Sequence, residues 1–317
     1  MSAPTDLREA EEGLRSGRTP FVSATVVRAE RPTSAKPGDR ALVLPDGRIE
    51  GFVGGACAES TVRLHALRLL DTDRAESERA LLLRITPDPA DAAAAEPVEG
   101  QVTVGNPCLS GGTLEIFLEA MVPPLLVYVL GDAPVARALV TVGGALGYEM
   151  RVAADPAAAI PADTAAVVVA SHGRDEEALL AAAVRAGVPY IGLIASRRRG
   201  AAVLAGLGLD PHDATRVRTP AGLDIGARSA PEIALSVLAE IVATRPRVTV
   251  AAGSQPAADA APADAGPAEA VDPVCGMTVA VVLDALTLEH GGRQWYFCGP
   301  GCRDAFAANP DRYLAGG

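Results

Sequence analysis

The sequence lacks a long apolar segment. No run among its 317 residues approaches the roughly 18 apolar residues that a membrane-spanning helix needs. Residues 1–10 also lack the basic segment followed by an apolar segment that marks a secretory signal peptide. We therefore expect a cytoplasmic protein that has no membrane span.

Positive charge is scarce in this chain. Lys36 is the only lysine, the formal net charge is -11 at pH 7, and the isoelectric point is about 4.9. A protein with this charge is repelled on average by the phosphate backbone of nucleic acids and by anionic membrane surfaces. The composition therefore argues against nucleic acid or a membrane surface as the main partner.

Cysteine is sparse as well, with five residues of this type. An odd number of cysteines in a large chain without an export signal favours thiol or metal chemistry in a reducing compartment over a disulfide framework. Hydrophobic residues, by contrast, make up 49% of the chain, which is enough for more than one core. We expect two ordinary domains and a small additional module.

Local patterns predict an α/β protein. Periodic apolar positions predict helices over 7–16, 135–145, 175–186 and 231–242, and β-rich runs predict strands over 21–30, 101–104, 113–118, 125–130, 151–155, 165–170 and 190–195. Residues 71–99 lose this periodicity and collect Asp, Ala and Pro, so we interpret them as a surface excursion.

Cys57 is predicted to lie where a strand ends and a helix begins. Residues 41–44 and 48–53 are typical of a β-hairpin, because the Asp-Gly pair between them favours a tight turn. After Cys57, apolar residues recur at helical spacing as far as Asp71. This order of elements places the thiol in the first turn of a helix.

The residues around Cys57 suit the binding of an anion. Gly54 and Gly55 allow positive φ and close approach of a ligand, and the first amides of a helix favour a neighbouring negative charge, including a thiolate. Cys108 also lies in a glycine-rich turn between predicted strands. The alternative is that Cys57 is a buried core cysteine beside two turn glycines.

The second half of the chain is typical of a dinucleotide-binding βαβ unit. A continuous apolar strand ends at Gly131, a helix follows, and Asp155 lies at the end of the next predicted strand. Ala133 and Ala136 stand where the second and third glycines of the fingerprint belong. The pattern therefore predicts a Rossmann-like parallel sheet and leaves the binding of NAD(P) open.

Arg197 begins a run of three arginines directly after a predicted strand of this sheet. Ligands of open parallel sheets bind beyond the carboxyl ends of the strands, where these guanidinium groups could hold a phosphate. The alternative is that the run is simply the solvated start of a helix.

Two segments of the first domain resemble the XdhC/CoxI family of molybdoenzyme maturation factors. They read Lys-Pro-Gly-Asp-Arg-Ala-Leu-Val-Leu-Pro-Asp-Gly-Arg-Ile-Glu-Gly-Phe-Val-Gly-Gly-Ala-Cys-Ala-Glu from Lys36, and Asn-Pro-Cys-Leu-Ser-Gly-Gly-Thr-Leu-Glu-Ile-Phe from Asn106. Many family members read Gly-Gly-Cys, whereas this chain reads Gly-Gly-Ala-Cys, which is closer to the branch associated with carbon monoxide dehydrogenase-type enzymes.

The resemblance implies a protein that binds the molybdenum cofactor, with Cys57 as a contact, and supports its sulfuration or insertion into an apo-molybdenum hydroxylase. It also implies a cysteine desulfurase as a further partner and pairing of subunits into a homodimer. The residues agree with this reading, because a soft thiolate suits molybdenum and glycine amides suit a pterin phosphate.

The final segment differs from the rest. It holds five of the chain's eleven aromatic residues and three of its cysteines. The sequences Asp-Pro-Val-Cys-Gly-Met from Asp272 and Trp-Tyr-Phe-Cys-Gly-Pro-Gly-Cys-Arg-Asp-Ala-Phe from Trp295 resemble a YHS domain, a small module linked to metal handling.

A metal site is one interpretation of this segment. Cys298 and Cys302 are four positions apart and would share a face of a helix, and Cys275 could complete a three-thiol site for zinc or copper. Alternatively, these cysteines pack with the aromatic residues.

We thus expect an N-terminal mixed α/β domain, a Rossmann-like domain and a small cysteine-containing module. The predicted divisions are 1–122, 123–245, a flexible linker over 246–269, and 270–317. The function expected is that of a maturation chaperone rather than a turnover enzyme. The alternatives are an NAD(P)-dependent oxidoreductase with a reactive cysteine and a metal-binding interaction protein.

Overall fold

The computed structural model describes residues 7–70, 79–107, 112–153, 159–171, 176–244 and 267–314. Cys108, Asp155 and nearly all of the predicted linker lie outside these ranges. The contacts divide the chain into two compact units, one formed by Met1–Pro123 with Val248–Gly317 and the other by Pro124–Arg247. The predicted fold class is confirmed.

Most of the first unit is built on one mixed sheet with helices beside it. Its elements up to residue 121 are α1 (Leu7–Ser16), β1 (Phe21–Glu30), β2 (Arg40–Val43), β3 (Ile49–Gly51), α2 (Ala56–Leu69), β4 (Ala80–Thr86), α3 (Pro89–Ala94), β5 (Gln101–Gly105) and β6 (Thr113–Met121). The described strands pair in the order β3-β2-β1-β6-β4-β5. All pairs are antiparallel except β4 with β5.

The core of this sheet lies under helix α2. Val62, Ala66 and Leu69 on one face of the helix pack with the buried side chains of the central strands. Apolar residues recur along α2 at intervals of three and four, which is why one face of it is buried. The helix therefore fixes Cys57, at its N-terminal end, against the sheet.

The interpretation of residues 71–99 as a surface excursion was wrong for residues 80–86, which form β4, whereas residues 87–99 lie at the surface. Strand β4 lies inside the sheet between β6 and β5, and Leu83 and Ile85 are buried in the core. The run Ala-Leu-Leu-Leu-Arg-Ile-Thr is short and is flanked by polar, Ala-rich sequence, so its periodicity is hidden in a longer window.

The second unit is a parallel sheet covered on both faces. Its elements are β7 (Leu126–Leu130), α4 (Pro134–Ala145), β8 (Glu149–Val152), β9 (Thr164–Val169), α5 (Glu176–Arg185), β10 (Tyr190–Leu193), α6 (Arg197–Gly206), α7 (Pro211–Thr215), β11 (Val217–Arg218) and α8 (Ala230–Ala243). The described strands follow the order β8-β7-β9-β10-β11, a doubly wound arrangement. Helices α4 and α8 pack on one face and α5 on the other.

The C-terminal segment folds as a small module within the first unit. Its elements are β12 (Glu269–Val271), β13 (Thr278–Ala280), β14 (Leu286–His290), β15 (Arg293–Phe297), α9 (Pro300–Ala308) and α10 (Pro310–Leu314). Phe306 is fully buried and contacts the rings of Trp295, Phe297 and Tyr313. The aromatic residues thus form the centre of this module.

Among the described residues, none of the helices has both the length and the apolar composition required to cross a membrane.

Candidate functional site

Cys57 occupies the first turn of α2, as the sequence predicted. The chain leaves β3, passes through Gly54 and Gly55, and enters the helix at Ala56. Gly54 has a φ of 139°, a conformation that other residues rarely adopt. Gly55 is the N-cap and has no side chain that could accept a hydrogen bond from the first helical amides.

A pocket of about 270 Å³ opens beside the thiol of Cys57. Its polar lining includes Thr33, Ser34 and Asn106, and Gly55 and Ala56 line it on the side of the helix. Asn106 is buried and lies two positions before Cys108 in the sequence. The pocket therefore combines hydroxyl and amide groups with the positive end of a helix dipole and a soft sulfur.

The three cysteines of the C-terminal module lie together, although Cys298 is placed differently from the prediction. Cys298 follows the end of β15 and only Cys302 is in helix α9, so they do not share one helix. The Sγ atoms of Cys275 and Cys298 are 3.6 Å apart, and those of Cys298 and Cys302 are 3.7 Å apart. We call these three residues the tail thiol cluster.

Asp272 holds the backbone beside the tail thiol cluster through hydrogen bonds. This residue is fully buried, and its carboxylate accepts hydrogen bonds from the backbone N–H groups of Val274 and Cys298, each at 2.8 Å. Potential ligand atoms of Asp272 and the three cysteines all lie within 4.8 Å of one another. Such convergence of thiols and a carboxylate can hold a thiophilic metal ion.

The protonation of the cluster is unequal. Hydrogen bonds to Cys275 and Cys57, together with burial, raise the pKa of Cys298, and burial raises the pKa of Cys302 to about 12. A hydrogen bond from Cys298 lowers the pKa of Cys275. Without a metal, any negative charge of the cluster therefore concentrates on Cys275, and a metal would have to displace protons from its neighbours.

Cys57 contacts this cluster as well as lining the pocket. Its thiol hydrogen-bonds with that of Cys298, and its side chain packs with Met277 and Val279. A Cβ placed on Gly299 would lie 3.2 Å from the Sγ of Cys57. Sequence reasoning treated Cys57 and the tail cysteines as separate sites, because no local pattern links residues so far apart.

The C-terminal module packs against helix α2, on the C-terminal side of Cys57. Leu64 and Leu67 of the helix form a buried apolar cluster with Ala280 of β13. Arg68 and Glu269 form an ion pair at 2.7 Å at the edge of this contact. The docking brings the tail thiol cluster to the N-terminal end of α2.

The fingerprint residues of the second unit have structural roles. Gly131 follows β7 with a φ of 120°, and a Cβ there would collide with the carbonyl oxygen of Ala170. Ala133 is the N-cap of α4, and Ala136 lies in the first turn of that helix with its side chain buried. Arg197 is exposed at the start of α6. Asp155 lies outside the described residues. The binding of a cofactor by Gly131, Ala133, Ala136, Asp155 and Arg197 therefore remains a prediction.

A buried polar cluster near Gly131 was missed by sequence reasoning. The carboxylate of Glu176, which is 1% exposed, accepts a hydrogen bond from the hydroxyl of Ser171 at 2.8 Å and pairs with Arg199. Arg199, and not the predicted Arg197, is the arginine of the run that turns toward the strand ends. The side-chain direction within a three-arginine run cannot be read from the sequence.

Comparisons with known proteins agree with this architecture. Residues 14–85 match the XdhC and CoxI family, residues 127–241 match the XdhC Rossmann domain, and residues 270–316 match the YHS domain. The chain therefore contains regions similar to the XdhC and CoxI family, to the XdhC Rossmann domain and to the YHS domain. The tail thiol cluster is therefore part of the YHS domain.

Three relatives show how far the similarity extends. The molybdenum cofactor insertion chaperone PaoD of Escherichia coli (strain K12) is 26% identical over 281 residues, covering 76% of this chain and 88% of PaoD. The uncharacterized protein YqeB of the same bacterium is 28% identical over 259 residues, or 72% of this chain. This chain spans only 44% of YqeB. A probable xanthine dehydrogenase subunit from Bacillus subtilis (strain 168) is 38% identical over 86 residues, covering 27% of this chain and 25% of that protein.

Proposed function

We propose that this protein binds the molybdenum cofactor beside Cys57 and delivers it to an apo-molybdenum hydroxylase of the xanthine dehydrogenase or carbon monoxide dehydrogenase type. The observation that carries the proposal is the pocket at the N-terminus of α2, with Cys57 in its wall. The sequence similarity to PaoD also supports the proposal, because this similarity extends over 88% of that cofactor insertion chaperone.

The lining of the pocket fits the chemistry of this cofactor. Molybdenum is a metal that a thiolate can ligate, and Cys57 brings a sulfur to the described lining. The phosphate of a pterin suits the amides at the start of α2 and the hydroxyls of Thr33 and Ser34. At about 270 Å³ the pocket is near the lower end of the range for ligand sites, roughly 300–1,000 Å³, so it accommodates one end of the cofactor.

Sulfuration is the finer part of the proposal. When bound, the cofactor would supply the molybdenum centre that is to be sulfurated, and this chain would hold the pterin while a cysteine desulfurase provides the sulfur. The role of the chain's own residues is then to bind and orient the cofactor and to exclude water. Subunit pairing into a homodimer, which sedimentation would test, is also proposed.

The ligand that the purified protein retains tests the function. Molybdenum and a pterin chromophore in stoichiometric amount are expected from cells that make the cofactor. Bound NAD(P) instead would favour the alternative, an oxidoreductase with a reactive cysteine. The Rossmann-like sheet of the second unit is compatible with this alternative. However, Ala133 at the N-cap of α4 adds a side chain where a fingerprint glycine would let a pyrophosphate approach.

The role of Cys57 is tested by Cys57→Ser. We expect a loss of cofactor affinity of at least tenfold and a matching loss of delivery to the apo-hydroxylase, because the variant lacks the sulfur ligand. Cys275→Ser, measured like Cys57→Ser on protein freed of metal by a chelator, is the matched control, since it removes one thiol that does not line the pocket. Full affinity and delivery in Cys57→Ser would remove Cys57 from the mechanism and leave Cys108 as the next candidate.

A further inference from the structure

Cys57 lies between two sites that the chain builds from different domains. On one side its thiol lines the pocket, and on the other it contacts Cys298 and Gly299 of the YHS domain. The contacts with Cys298 and Gly299 depend on the docking of the YHS domain on α2, which places β13 against Leu64 and Leu67. Cys57 is therefore a neighbour of the tail thiol cluster as well as part of the pocket wall.

The spacing of the three tail sulfurs fits a single metal ion. Four sulfurs placed tetrahedrally at about 2.3 Å from a zinc ion are about 3.8 Å apart. The sulfur atom of Cys298 is 3.6 Å from that of Cys275 and 3.7 Å from that of Cys302. Thiol hydrogen bonds give similar distances, so the convergence of several sulfurs on Cys298 is the informative feature.

Three thiolates leave one position of a tetrahedral zinc site to be filled. Asp272 is close enough to the three thiols to act as the fourth ligand. However, one of its carboxylate oxygens already accepts a hydrogen bond from the N–H of Val274, and the other accepts one from the N–H of Cys298, a residue that is 4% exposed. Turning Asp272 toward a metal would leave these two N–H groups without their acceptor, which is unfavourable above all for the buried N–H of Cys298. His290 packs edge-on against Phe306 and lies outside the group of ligand atoms that are within 4.8 Å of one another. The sulfur of Cys57 lies outside that group too, but it already contacts Cys298, so a shift toward Cys275 and Cys302 would complete the site.

We propose that Cys57 supplies the fourth thiolate of a zinc-class metal site whose other ligands are Cys275, Cys298 and Cys302. The divalent ion forms four metal–sulfur bonds, and each protonated thiol releases its proton to solvent, so the step involves no oxidation or reduction. Because the ligands come from both domains, the ion holds the YHS domain on α2. The metal site itself does not depend on the proposed cofactor function.

One consequence does rest on the proposed function. A thiolate bound to the metal is not available to a ligand in the pocket, so the two sites compete for Cys57. By thermodynamic linkage, the metal then weakens binding in the pocket by the same factor by which the pocket ligand weakens binding of the metal. Metal occupancy of the YHS domain would thus control the release of a cargo held by Cys57.

Cobalt(II) titration of the reduced full-length protein tests the ligand set. We expect one equivalent to bind with tetrahedral visible bands, and the intensity of thiolate-to-cobalt charge transfer in Cys57→Ser to fall to about three quarters, since one of four thiolates is gone. Cys108→Ser is the matched control, because it leaves the same total number of thiols and should give the wild-type spectrum. Identical spectra for wild type and Cys57→Ser would overturn the proposal.

A second measurement needs no substitution at position 57. Iodoacetamide labelling, followed cysteine by cysteine by mass spectrometry, is compared in the wild-type protein with and without zinc. We expect zinc to slow labelling of Cys57 at least tenfold, together with the tail cysteines, and to have no effect on Cys57 in a Cys298→Ser, Cys302→Ser double variant. If zinc slows the labelling of the tail cysteines but not that of Cys57, the site contains three thiolates and the proposal is wrong.

Neither measurement involves the molybdenum cofactor. A failure of the proposed function would leave the metal site intact, and a failure of the metal site would leave the cofactor experiments unchanged. The competition is tested last, by measuring cofactor binding to the zinc-loaded and zinc-free wild-type protein. Equal affinities in the two forms would refute the linkage.

Discussion

Gly299 lies directly against Cys57, although the two residues belong to different domains. A Cβ on Gly299 would be 3.2 Å from the Sγ of Cys57, closer than side chains normally pack. Gly299 has a φ of -166°, which any residue can adopt, so the close approach and not the backbone conformation requires glycine here. The missing side chain at position 299 therefore allows the thiols of the YHS domain to lie beside Cys57 without displacing its sulfur.

The variant Gly299→Asn should push the tail thiol cluster away from Cys57. Asn is a good N-cap for α9, so the helix itself should persist while the added side chain meets the sulfur. We expect iodoacetamide to label Cys57 several-fold faster than in wild type. In Gly301→Asn, where a Cβ has no neighbour within 4 Å, the rate should stay as in wild type. Equal rates in all three proteins would show that the contact does not shield Cys57.

The substitution Ala280→Glu should release the YHS domain from helix α2. Ala280 is 4% exposed and packs against Leu64 and Leu67, so a carboxylate there would be buried without a partner. With a protease site inserted between residues 250 and 262, the cleaved wild-type fragments should co-elute in gel filtration and the Ala280→Glu fragments should separate.

A change in the ion pair beside this contact provides the comparison. The side chains of Arg68 and Glu269 are 37% and 36% exposed, and pairs of this kind contribute about 0–1 kcal/mol. Cleaved Arg68→Ala fragments should therefore still co-elute. If they separate as readily as those of Ala280→Glu, the ion pair rather than the apolar contact holds the domain.

The two neighbouring arginines of α6 should differ in their effect on stability. Arg199→Ala leaves the buried carboxylate of Glu176 without its cation, which should destabilise the XdhC Rossmann domain by about 3 kcal/mol. Arg197→Ala alters an exposed side chain and should change stability by less than about 0.5 kcal/mol. Calorimetric unfolding of both variants measures the difference, and equal shifts would contradict the assigned pairing.

His65 should make the first unit sensitive to acid. Burial in α2, with a smaller effect of Arg68, lowers the pKa of His65 to about 4, so the folded protein keeps this side chain neutral. The unfolded chain takes up a proton below about pH 6.5, and stability therefore falls as the pH is lowered from 6.5 toward 4. The loss is limited to about 1.4 kcal/mol per pH unit.

The variant His65→Gln should flatten this pH dependence, measured by urea unfolding between pH 4 and pH 7. His212, whose side chain is 89% exposed, provides the control. His212→Gln should leave the slope of stability against pH as in wild type. A slope unchanged by His65→Gln would show that another group is responsible for the loss in acid.

Much of the fold was predictable because it is encoded locally. The Asp-Gly hairpin and the helix after Cys57 follow from turn chemistry and apolar periodicity, and the structure confirms both. Of the two glycines before Cys57, only Gly54 adopts a positive φ, and Gly55 has a φ of -76°. The buried apolar strands of the parallel sheet were predicted for the same reason. Strand β4 was missed because its apolar run is short and lies in polar sequence.

Local sequence specifies which elements form and which residues carry reactive groups. Periodicity identifies the buried face of α2, but it does not say that β13 of a distant segment covers Leu64 and Leu67. The contact of Cys57 with Cys298 and the pairing of Arg199 with Glu176 likewise join residues that no local pattern connects. These contacts depend on tertiary packing, because the side chain that fills a buried surface is chosen by shape and charge across the whole fold.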